Sequence, residues 1–165
     1  MEIKIYVENR SKDIEGFPSS AWFTLPINSE VIKEEFGHEE YKICDCEAPF
    51  NFNVEQHSLE YLNKVAELFN EHAGNEALKY SGELSGYLGV DILSFLDRIE
   101  SVVVYSDCLS WKGYAELAVE ELGYFGNLID EVKGYIDYSS LGRDLSVSGA
   151  LYQARNGTII NYGHY

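Results

Sequence analysis

Apolar and polar residues alternate in two stretches of the first third of the chain, and a third stretch there is also strand-like. The alternation over residues 3–7 predicts a half-buried strand, because successive side chains of a strand point to opposite faces of the sheet. A second strand is predicted over residues 21–25, with Trp22 and Phe23 on opposite faces, and a third over residues 41–46. The polar stretch between the first two strands contains Gly and Pro and indicates a loop.

A short helix is predicted between the second and third strands. Ser29 is a candidate N-cap, and Gly37 is a candidate for the residue that ends the helix. Ile32 and Phe36 lie one turn apart between them. Together with the three strands, this helix predicts a small α+β module.

The middle of the chain has helical periodicity only. Ser58 precedes a strong amphipathic stripe and is a candidate N-cap, and Asp91 is a candidate N-cap for a later helix. The pattern between them predicts a looser helical piece that glycines break. The residues of the first stripe are Leu59, Leu62, Val65, Ala66 and Phe69, and the breaking glycines are Gly82, Gly86 and Gly89.

The last third mixes strand and helix signals. The β-branched and aromatic residues 102–105 predict a buried strand, and residues 111–122 predict a helix that ends at Gly123. Residues 128–138 are predicted as a short helix or a turn.

A hairpin is predicted at the end of the chain. Two strand-like runs, 150–155 and 158–162, flank Asn156-Gly157. This dipeptide favours a type I′ turn, which needs positive φ at both central residues.

The predicted fold class is α+β, with three small modules in series. The first module, residues 1–61, is β-rich, and the second, residues 62–103, is helical. The third, residues 104–165, contains a strand, helices and a hairpin.

Acidic residues are in excess throughout the chain. It carries 28 acidic and 12 basic residues, a formal net charge of −16, with an acidic excess of 8, 4 and 4 in the three modules. The hydrophobic content of 45% and the aromatic content of 14% exclude a disordered acidic tail. Two explanations of the charge stay open, namely solubility and a partner with a basic surface.

The basic residues are scattered, and this disfavours two kinds of partner. Direct binding of nucleic acid requires clustered Lys and Arg to displace counterions from phosphates, and anionic membrane surfaces attract basic segments. No apolar run reaches the roughly 20 residues that a membrane-spanning helix needs. We therefore expect neither direct nucleic-acid binding nor a membrane association.

The cysteines bear on both metal binding and compartment. Cys44 and Cys46 would face the same way in a regular strand, with His38 and His57 in adjacent loops. A single Cys-x-Cys without a second ligand pair is a weak metal signal, so we expect ordinary thiols, no metal and no cofactor. The sparse, odd number of cysteines and the lack of a signal-peptide pattern favour a reducing cytoplasm.

The segment of residues 121–149 carries the most specific motifs, and it reads ELGYFGNLIDEVKGYIDYSSLGRDLSVSG. It contains a Leu-Gly turn (Leu122-Gly123, or Gly126-Asn127 in another register), then Tyr-Ile-Asp-Tyr at 135–138 and Gly-Arg-Asp-Leu at 142–145. In this order the motifs resemble the signature of the ArdA antirestriction family, in which a helix ends with Tyr-Ile-Asp-Tyr. Further similar segments are IYVEN, AWFTLPI, EEYKICDCEAPF, YSDC and SGALYQARNG.

The resemblance implies an elongated, acidic homodimer without catalytic residues. It would imitate a DNA duplex and competitively occupy the DNA-binding groove of the methyltransferase core of type I restriction-modification enzymes. Three compact modules of roughly 26 Å each would span about 80 Å, and an end-to-end dimer about 160 Å. Its carboxylates would then number about one per 3 Å, against one phosphate charge per ~1.7 Å of B-DNA.

Two sets of residues are expected to carry this function. The carboxylates expected to contact the partner are Glu30, Glu34, Glu35, Glu39, Glu40, Glu47, Glu67, Glu71, Glu83, Asp91, Asp97, Glu100, Asp107, Glu116, Glu120, Glu121, Asp130 and Glu131. The signature residues expected near the dimer contact are Tyr135, Ile136, Asp137, Tyr138, Leu141, Arg143, Asp144 and Leu145. The alternative for the second set is an ordinary core turn with an internal Arg–Asp pair.

Two other functions stay open. One is a small acidic hydrolase-type enzyme with Asp137, Arg143 and Asp144 in a pocket of the third module. The sequence has no Gly-rich phosphate loop, Gly-x-Ser-x-Gly or His-Glu-x-x-His to support it. The other is an acidic binding module for a different basic DNA-binding protein.

Overall fold

A computed structural model of the protein describes residues 2–10, 16–37, 40–50 and 54–163. The chain divides into two compact units, Met1–Asp97 and Arg98–Tyr165. Each unit combines helices with a three-stranded antiparallel sheet, so the predicted α+β class is confirmed. The division into three modules in series stays a prediction.

The sheet of the first unit contains β1 (Lys4–Asn9), β2 (Ser20–Thr24) and β3 (Tyr41–Glu47) in the order β2-β1-β3. These strands match the three strands predicted from the sequence. Ile5 and Val7 are fully buried on one face of the sheet.

Trp22 and Phe23 point to opposite faces of this sheet, as predicted. Phe23 is the cross-strand partner of the buried Ile5, whereas Trp22 is the partner of Tyr6 on the other face. The phenyl rings of Phe23 and Phe36 lie 6.0 Å apart, edge to face.

Helix α1 (Ser29–Glu35) lies between β2 and β3 in the chain, but its predicted N-cap is wrong. The side chain of Asn28 caps the helix and accepts a hydrogen bond from the amide of Glu30 at 3.0 Å. Ser29 is instead the first helical residue. Asn caps helices about as well as Ser, and here the residue before Ser29 takes the capping position. Gly37 follows the helix with φ +69°, as its predicted role at the helix end requires.

Helix α2 (Leu59–Glu71) begins after Ser58, whose hydroxyl accepts a hydrogen bond from the amide of Tyr61. Its buried face contains Leu62, Val65 and Ala66 together with Phe69, so the predicted cap and stripe are confirmed.

Two shorter helices complete the first unit. A 3₁₀ segment, Glu76–Tyr80, leads into α3 (Ser81–Leu88), and α4 (Ile92–Asp97) follows. Asp91 caps α4 by accepting a hydrogen bond from the amide of Ser94, as predicted. Gly82 and Gly86 lie inside α3 and do not break it, and only Gly89, with φ +67°, ends the helix.

The sheet of the second unit contains β4 (Val103–Tyr105), β5 (Leu151–Gln153) and β6 (Ile159–Asn161) in the order β4-β6-β5. The strand predicted over residues 102–105 is present but is not buried throughout, because Val103 is 48% exposed. Ile159 and Ile160 of the central strand are fully buried.

The predicted hairpin is present, but its turn differs from the expected one. The amide of Gly157 donates to the carbonyl of Ala154 at 2.8 Å, and the amide of Ala154 donates to the carbonyl of Thr158 at 2.9 Å. The turn is therefore centred on Arg155 and Asn156, with Gly157 at φ +94°, and not on Asn156-Gly157. The Asn156 side chain accepts the Thr158 amide instead.

Three helices lie between β4 and β5 in the chain: α5 (Trp111–Glu120), α6 (Asp130–Lys133) and α7 (Tyr138–Val147). The predicted helix at 111–122 corresponds to α5, and α6 lies within the predicted helix or turn. The sequence patterns do not predict α7, and the expectation that Tyr-Ile-Asp-Tyr ends a helix is wrong, since its last residue begins one.

Helices α5 and α7 pack closely around Gly142. A Cβ at this position would lie 2.5 Å from the carbonyl oxygen of Trp111, so only glycine allows the two backbones to approach this far. The apolar core beneath them contains Tyr114, Ala118 and Leu145.

Candidate partner-binding surface

The carboxylates of the described residues lie at the protein surface. None of the Asp and Glu residues in the described part of the chain is buried. Of the 18 predicted contact residues, Glu83 and Glu116 are half-buried, and Glu39 lies outside the described residues. The others are exposed: Glu30, Glu34, Glu35, Glu40, Glu47, Glu67, Glu71, Asp91, Asp97, Glu100, Asp107, Glu120, Glu121, Asp130 and Glu131.

Helix geometry aligns some of these carboxylates. On α2, Glu60, Glu67 and Glu71 are exposed opposite the buried stripe, with Lys64 among them. Glu67 and Glu71 are four residues apart, which is an advance of about 6 Å along the helix. Like charges at this spacing repel, so their pairing does not serve the stability of the helix.

Ion pairs neutralise only some of the predicted carboxylates. Lysines or arginines lie within hydrogen-bonding distance of five of them, but every pair is exposed or half-buried and contributes about 1 kcal/mol or less. The pairs are Glu30–Lys33 (2.8 Å), Glu40–Arg10 (3.2 Å), Glu116–Lys112 (3.5 Å), Glu120–Lys133 (2.8 Å) and Asp130–Lys133 (3.4 Å).

Other predicted carboxylates have no such counter-charge. Within the described residues, no ion pair involves Glu34, Glu35, Glu47, Glu67, Glu71, Asp97, Asp107, Glu121 or Glu131. Asp91 is engaged as the cap of α4, where hydrogen bonds from the Ser94 hydroxyl and amide hold its pKa below the usual value. The unpaired carboxylates are available to cations of a partner.

The sequence-based selection missed further exposed carboxylates. Glu2, Asp45 and Glu60 are exposed and Glu8 is half-buried. For Glu8 and Asp45 the signal was present in the sequence, because polar positions of an alternating strand predict a solvent-facing side chain, and Glu60 lies opposite the apolar stripe of α2.

The signature residues separate into core and surface. Leu145 is 4% exposed and belongs to the core of the second unit, and Tyr138 and Leu141 pack against that core. Ile136 is half-buried, and Arg143 and Asp144 are exposed. Tyr135 is 91% exposed, so its ring is the one apolar group of the predicted contact set that points fully into solvent among the described residues.

Asp137 is a helix cap. Its carboxylate accepts hydrogen bonds from the amides of Ser139 (3.0 Å) and Ser140 (3.1 Å) and from the Ser140 hydroxyl (2.7 Å). The Ser140 hydrogen bonds lower the pKa of Asp137 most, and the positive charge of Arg143 contributes less. This carboxylate therefore has a structural partner at the start of α7.

An exposed apolar segment precedes α7. We use this name for the large apolar residues between 122 and 135 that reach solvent, which are Leu122, Tyr124, Phe125, Ile129, Val132 and Tyr135. Exposed apolar surface marks interaction sites when it is contiguous, so these residues are candidates for a contact with a partner. Of these six residues, the sequence motifs singled out only Leu122 and Tyr135.

A polar network connects the exposed apolar segment to the neighbouring helices. Lys133 of α6 donates to Glu120 of α5 at 2.8 Å, and the Tyr138 hydroxyl of α7 donates to the other oxygen of Glu120 at 3.2 Å. The hydrogen bond from Lys133 is the main cause of the lowered pKa of Glu120. The network holds α6 at a fixed place within the second unit.

The two thiols of β3 do not face the same way, contrary to the expectation from a regular strand. The register between β1 and β3 shifts, which leaves Cys44 as an extra residue in β3. Cys46 pairs with the buried Ile5, whereas Cys44 lies beside Glu8 on the other face. Desolvation and, less strongly, the charge of Glu8 raise the pKa of the Cys44 thiol.

Three other kinds of site are a metal centre, a pocket and a membrane-spanning helix. The described part of the chain contains no group of three or more His, Cys, Asp or Glu side chains placed to hold a metal ion. A cleft of about 690 Å³ lies in the first unit, with Tyr41, Asn63 and Lys64 in its lining, and neither Asp137 nor Arg143 lines it. No helix among the described residues is long and apolar enough to cross a membrane.

These features define an acidic α+β protein whose described carboxylates lie at the surface. The sequence profile of the family described as antirestriction protein (ArdA) matches residues 5–160 of the 165. The chain belongs to the ArdA antirestriction family. A comparison with curated proteins gave no match.

Proposed function

We propose that this protein is a DNA mimic that competitively occupies the DNA-binding groove of the methyltransferase core of type I restriction-modification enzymes. In this proposal it acts as a homodimer and catalyses no reaction. The observation that supports it best is the exposure of the carboxylates. The net charge is −16, and none of the carboxylates in the described residues is buried.

The chemistry of the carboxylates fits such a partner. A groove that binds DNA presents Lys and Arg side chains, and carboxylate oxygens accept charge-assisted hydrogen bonds from them as phosphate oxygens do. Long-range attraction between the two surfaces would speed association and weaken at high salt. The unpaired carboxylates, such as Glu34, Glu67 and Glu131, would contribute most directly.

A competition experiment tests this function. A purified type I methyltransferase core is mixed with its labelled DNA duplex, and displacement of the duplex by the protein is followed as salt is raised. We expect displacement at stoichiometric amounts in low salt, with loss of displacement as the salt concentration increases. A failure to displace the duplex in low salt would rule out this partner.

We further propose that the exposed apolar segment forms the contact between the two protomers. Two chains of net charge −16 repel each other, so a stable contact requires apolar surface that offsets this repulsion. Tyr135 and Ile129 are large and well exposed within this segment. Tyr138 and Leu141 pack against the core, so their substitution would also disturb the fold.

The oligomeric state tests this contact. Tyr135→Ser combined with Ile129→Ser should shift the protein from dimer to monomer in sedimentation velocity at micromolar concentration, with unchanged far-UV circular dichroism. Tyr87→Ser, at another exposed tyrosine, is the control and should leave the dimer intact. An unchanged dimer in the double variant would place the contact elsewhere.

A further inference from the structure

The solvent-facing side of the first sheet carries an aromatic pair. Tyr6 of β1 and Trp22 of β2 are direct cross-strand partners, with ring centroids 5.2 Å apart and an interplanar angle of 47°. Trp22 is 50% exposed, so much of its indole ring lies in water. Exposed tryptophan is unfavourable in a free surface and is enriched where proteins bind each other.

Carboxylates flank the aromatic pair on the same face. Asp45 of β3 is the cross-strand partner of Tyr6 on the side opposite Trp22, and it is exposed. No ion pair of the described residues involves Asp45. Trp22 and Asp45 lie two strand spacings apart, about 10 Å, with the ring of Tyr6 between them.

The remaining charged groups of this face keep it acidic. Glu8 lies opposite Lys42 in the neighbouring strand, and Lys4 lies opposite Glu47. Lys42 donates to Glu55 at 2.6 Å, so its charge is already engaged. This group therefore contains four carboxylates and only two lysines. The carboxylates are those of Glu8, Asp45, Glu47 and Glu55, and the lysines are Lys4 and Lys42.

An arginine side chain is the group that best fits this arrangement. Its planar guanidinium stacks on aromatic faces and donates paired hydrogen bonds to a carboxylate at the same time. A lysine ammonium is a more strongly hydrated point charge and uses the aromatic surface less well.

We propose that Tyr6, Trp22 and Asp45, with Glu8 and Glu47 at the rim, form a docking site for an arginine of the basic partner protein. The identity of that partner, the methyltransferase core, rests on the proposed function. The site adds a local anchor to a surface whose other contacts are spread over many carboxylates. It also explains the exposure of the two aromatic residues, which the net charge does not explain.

Model peptides test the site without the enzyme. The full chain is titrated with hexa-arginine and with hexa-lysine in about 0.15 M salt, and the two indole N–H signals are followed by NMR, with Trp111→Phe used for assignment. We expect hexa-arginine to bind more tightly and to shift the Trp22 signal. Trp22→Leu should weaken hexa-arginine binding about 2- to 30-fold, the range of a cation–π contact, and Trp22→Phe should weaken it less.

The control variant keeps Trp22 and loses a different exposed aromatic ring. Tyr87→Leu removes another exposed aromatic side chain of the same unit and should leave hexa-arginine binding unchanged. Thermal unfolding of each variant verifies that the fold is kept. An unshifted Trp22 signal, or equal binding of hexa-arginine by Trp22→Leu and wild type, would overturn the docking site.

Titration of the same variants against the purified methyltransferase core separates the two proposals. Weaker binding by Trp22→Leu, but not by Tyr87→Leu, supports the docking site. If wild type binds hexa-arginine through Trp22 but does not bind the core, the proposed function fails and the arginine site stands. If wild type and Trp22→Leu bind the core equally well, the docking site fails and the proposed function stands.

Discussion

A single glycine decides how two helices of the second unit meet. Gly142 is buried inside α7, and a Cβ there would lie 2.5 Å from the carbonyl oxygen and 2.6 Å from the carbonyl carbon of Trp111. Gly is unfavourable inside a helix by about 1 kcal/mol, and the sequence Ser-Ser-Leu-Gly-Arg therefore looks like a turn. The close approach of α5 and α7 is the physical reason for its presence.

Substitution of this glycine should separate the helices. We expect Gly142→Ala to lower the free energy of unfolding by about 1–3 kcal/mol, because the added methyl group meets backbone atoms that cannot rotate away. The measurement is urea unfolding followed by circular dichroism.

Gly86→Ala is the matched control for this substitution. Gly86 also lies inside a helix, but a Cβ there meets nothing within 4 Å. The helix-propensity gain should stabilise the protein by about 0.5–1 kcal/mol. Equal stability of Gly142→Ala and wild type would show that α5 and α7 adjust without cost.

At the scale of elements, the N-terminus of α7 depends on one carboxylate. Asp137 satisfies two helix amides that have no partner within the helix, and its negative charge is favourable at this end of the helix dipole. The hydrogen bonds from Ser140 hold its pKa below the value of about 3.9 typical of an unfolded chain.

The contribution of this cap should depend on pH. A carboxyl group with a lowered folded pKa stabilises the fold above the unfolded pKa of about 3.9, and the stabilisation is lost as pH falls through the folded pKa. We expect wild type to have a higher thermal unfolding midpoint than Asp137→Ser at pH 7, and the difference to shrink below about pH 4. Asp137→Ser keeps a capping oxygen that does not titrate in this range.

The matched control for pH is Asp144→Ser on the same helix. Asp144 is exposed and caps nothing, so this variant removes a carboxylate from α7 and keeps the cap. A constant difference between wild type and Asp137→Ser from pH 7 to pH 3 would contradict the role of the charged cap.

At the scale of the whole molecule, the charge is distributed. Glu34, Glu67 and Glu131 lie on three different helices or their ends, are exposed, and have no ion pair among the described residues. If inhibition depends on many such groups, no single one of them is essential. Each exposed charge pair with the partner contributes about 1 kcal/mol or less.

We therefore expect each of Glu34→Gln, Glu67→Gln and Glu131→Gln to weaken inhibition of a type I enzyme less than about 5-fold, which corresponds to 1 kcal/mol. The triple variant should weaken it more and should reduce the salt dependence of binding. Lys64→Gln, on the same face of α2 as Glu67, is the control and should not weaken inhibition. Loss of all inhibition in one single variant would contradict a distributed surface.

The sequence by itself determined what depends on neighbouring residues and on composition. Local pattern predicted the three strands of the first sheet, two of them by alternation. The caps Ser58 and Asp91 were recognisable because a cap acts on amides two or three residues away. The acidic excess and the order of the signature motifs are likewise properties of the chain alone, and they pointed to the ArdA family that the profile match then established.

Only the tertiary structure decided what depends on contacts between residues far apart in the chain. The contact of Gly142 with the backbone of Trp111 explains a glycine inside helix α7. Leu145 belongs to the core because α5 covers it. The bulge that turns Cys44 away from Cys46 arises from the pairing of β3 with β1. The exposed apolar segment and the aromatic pair of Tyr6 and Trp22 are surface properties, and a surface is defined only when the chain has folded, because folding decides which side chains lose contact with water.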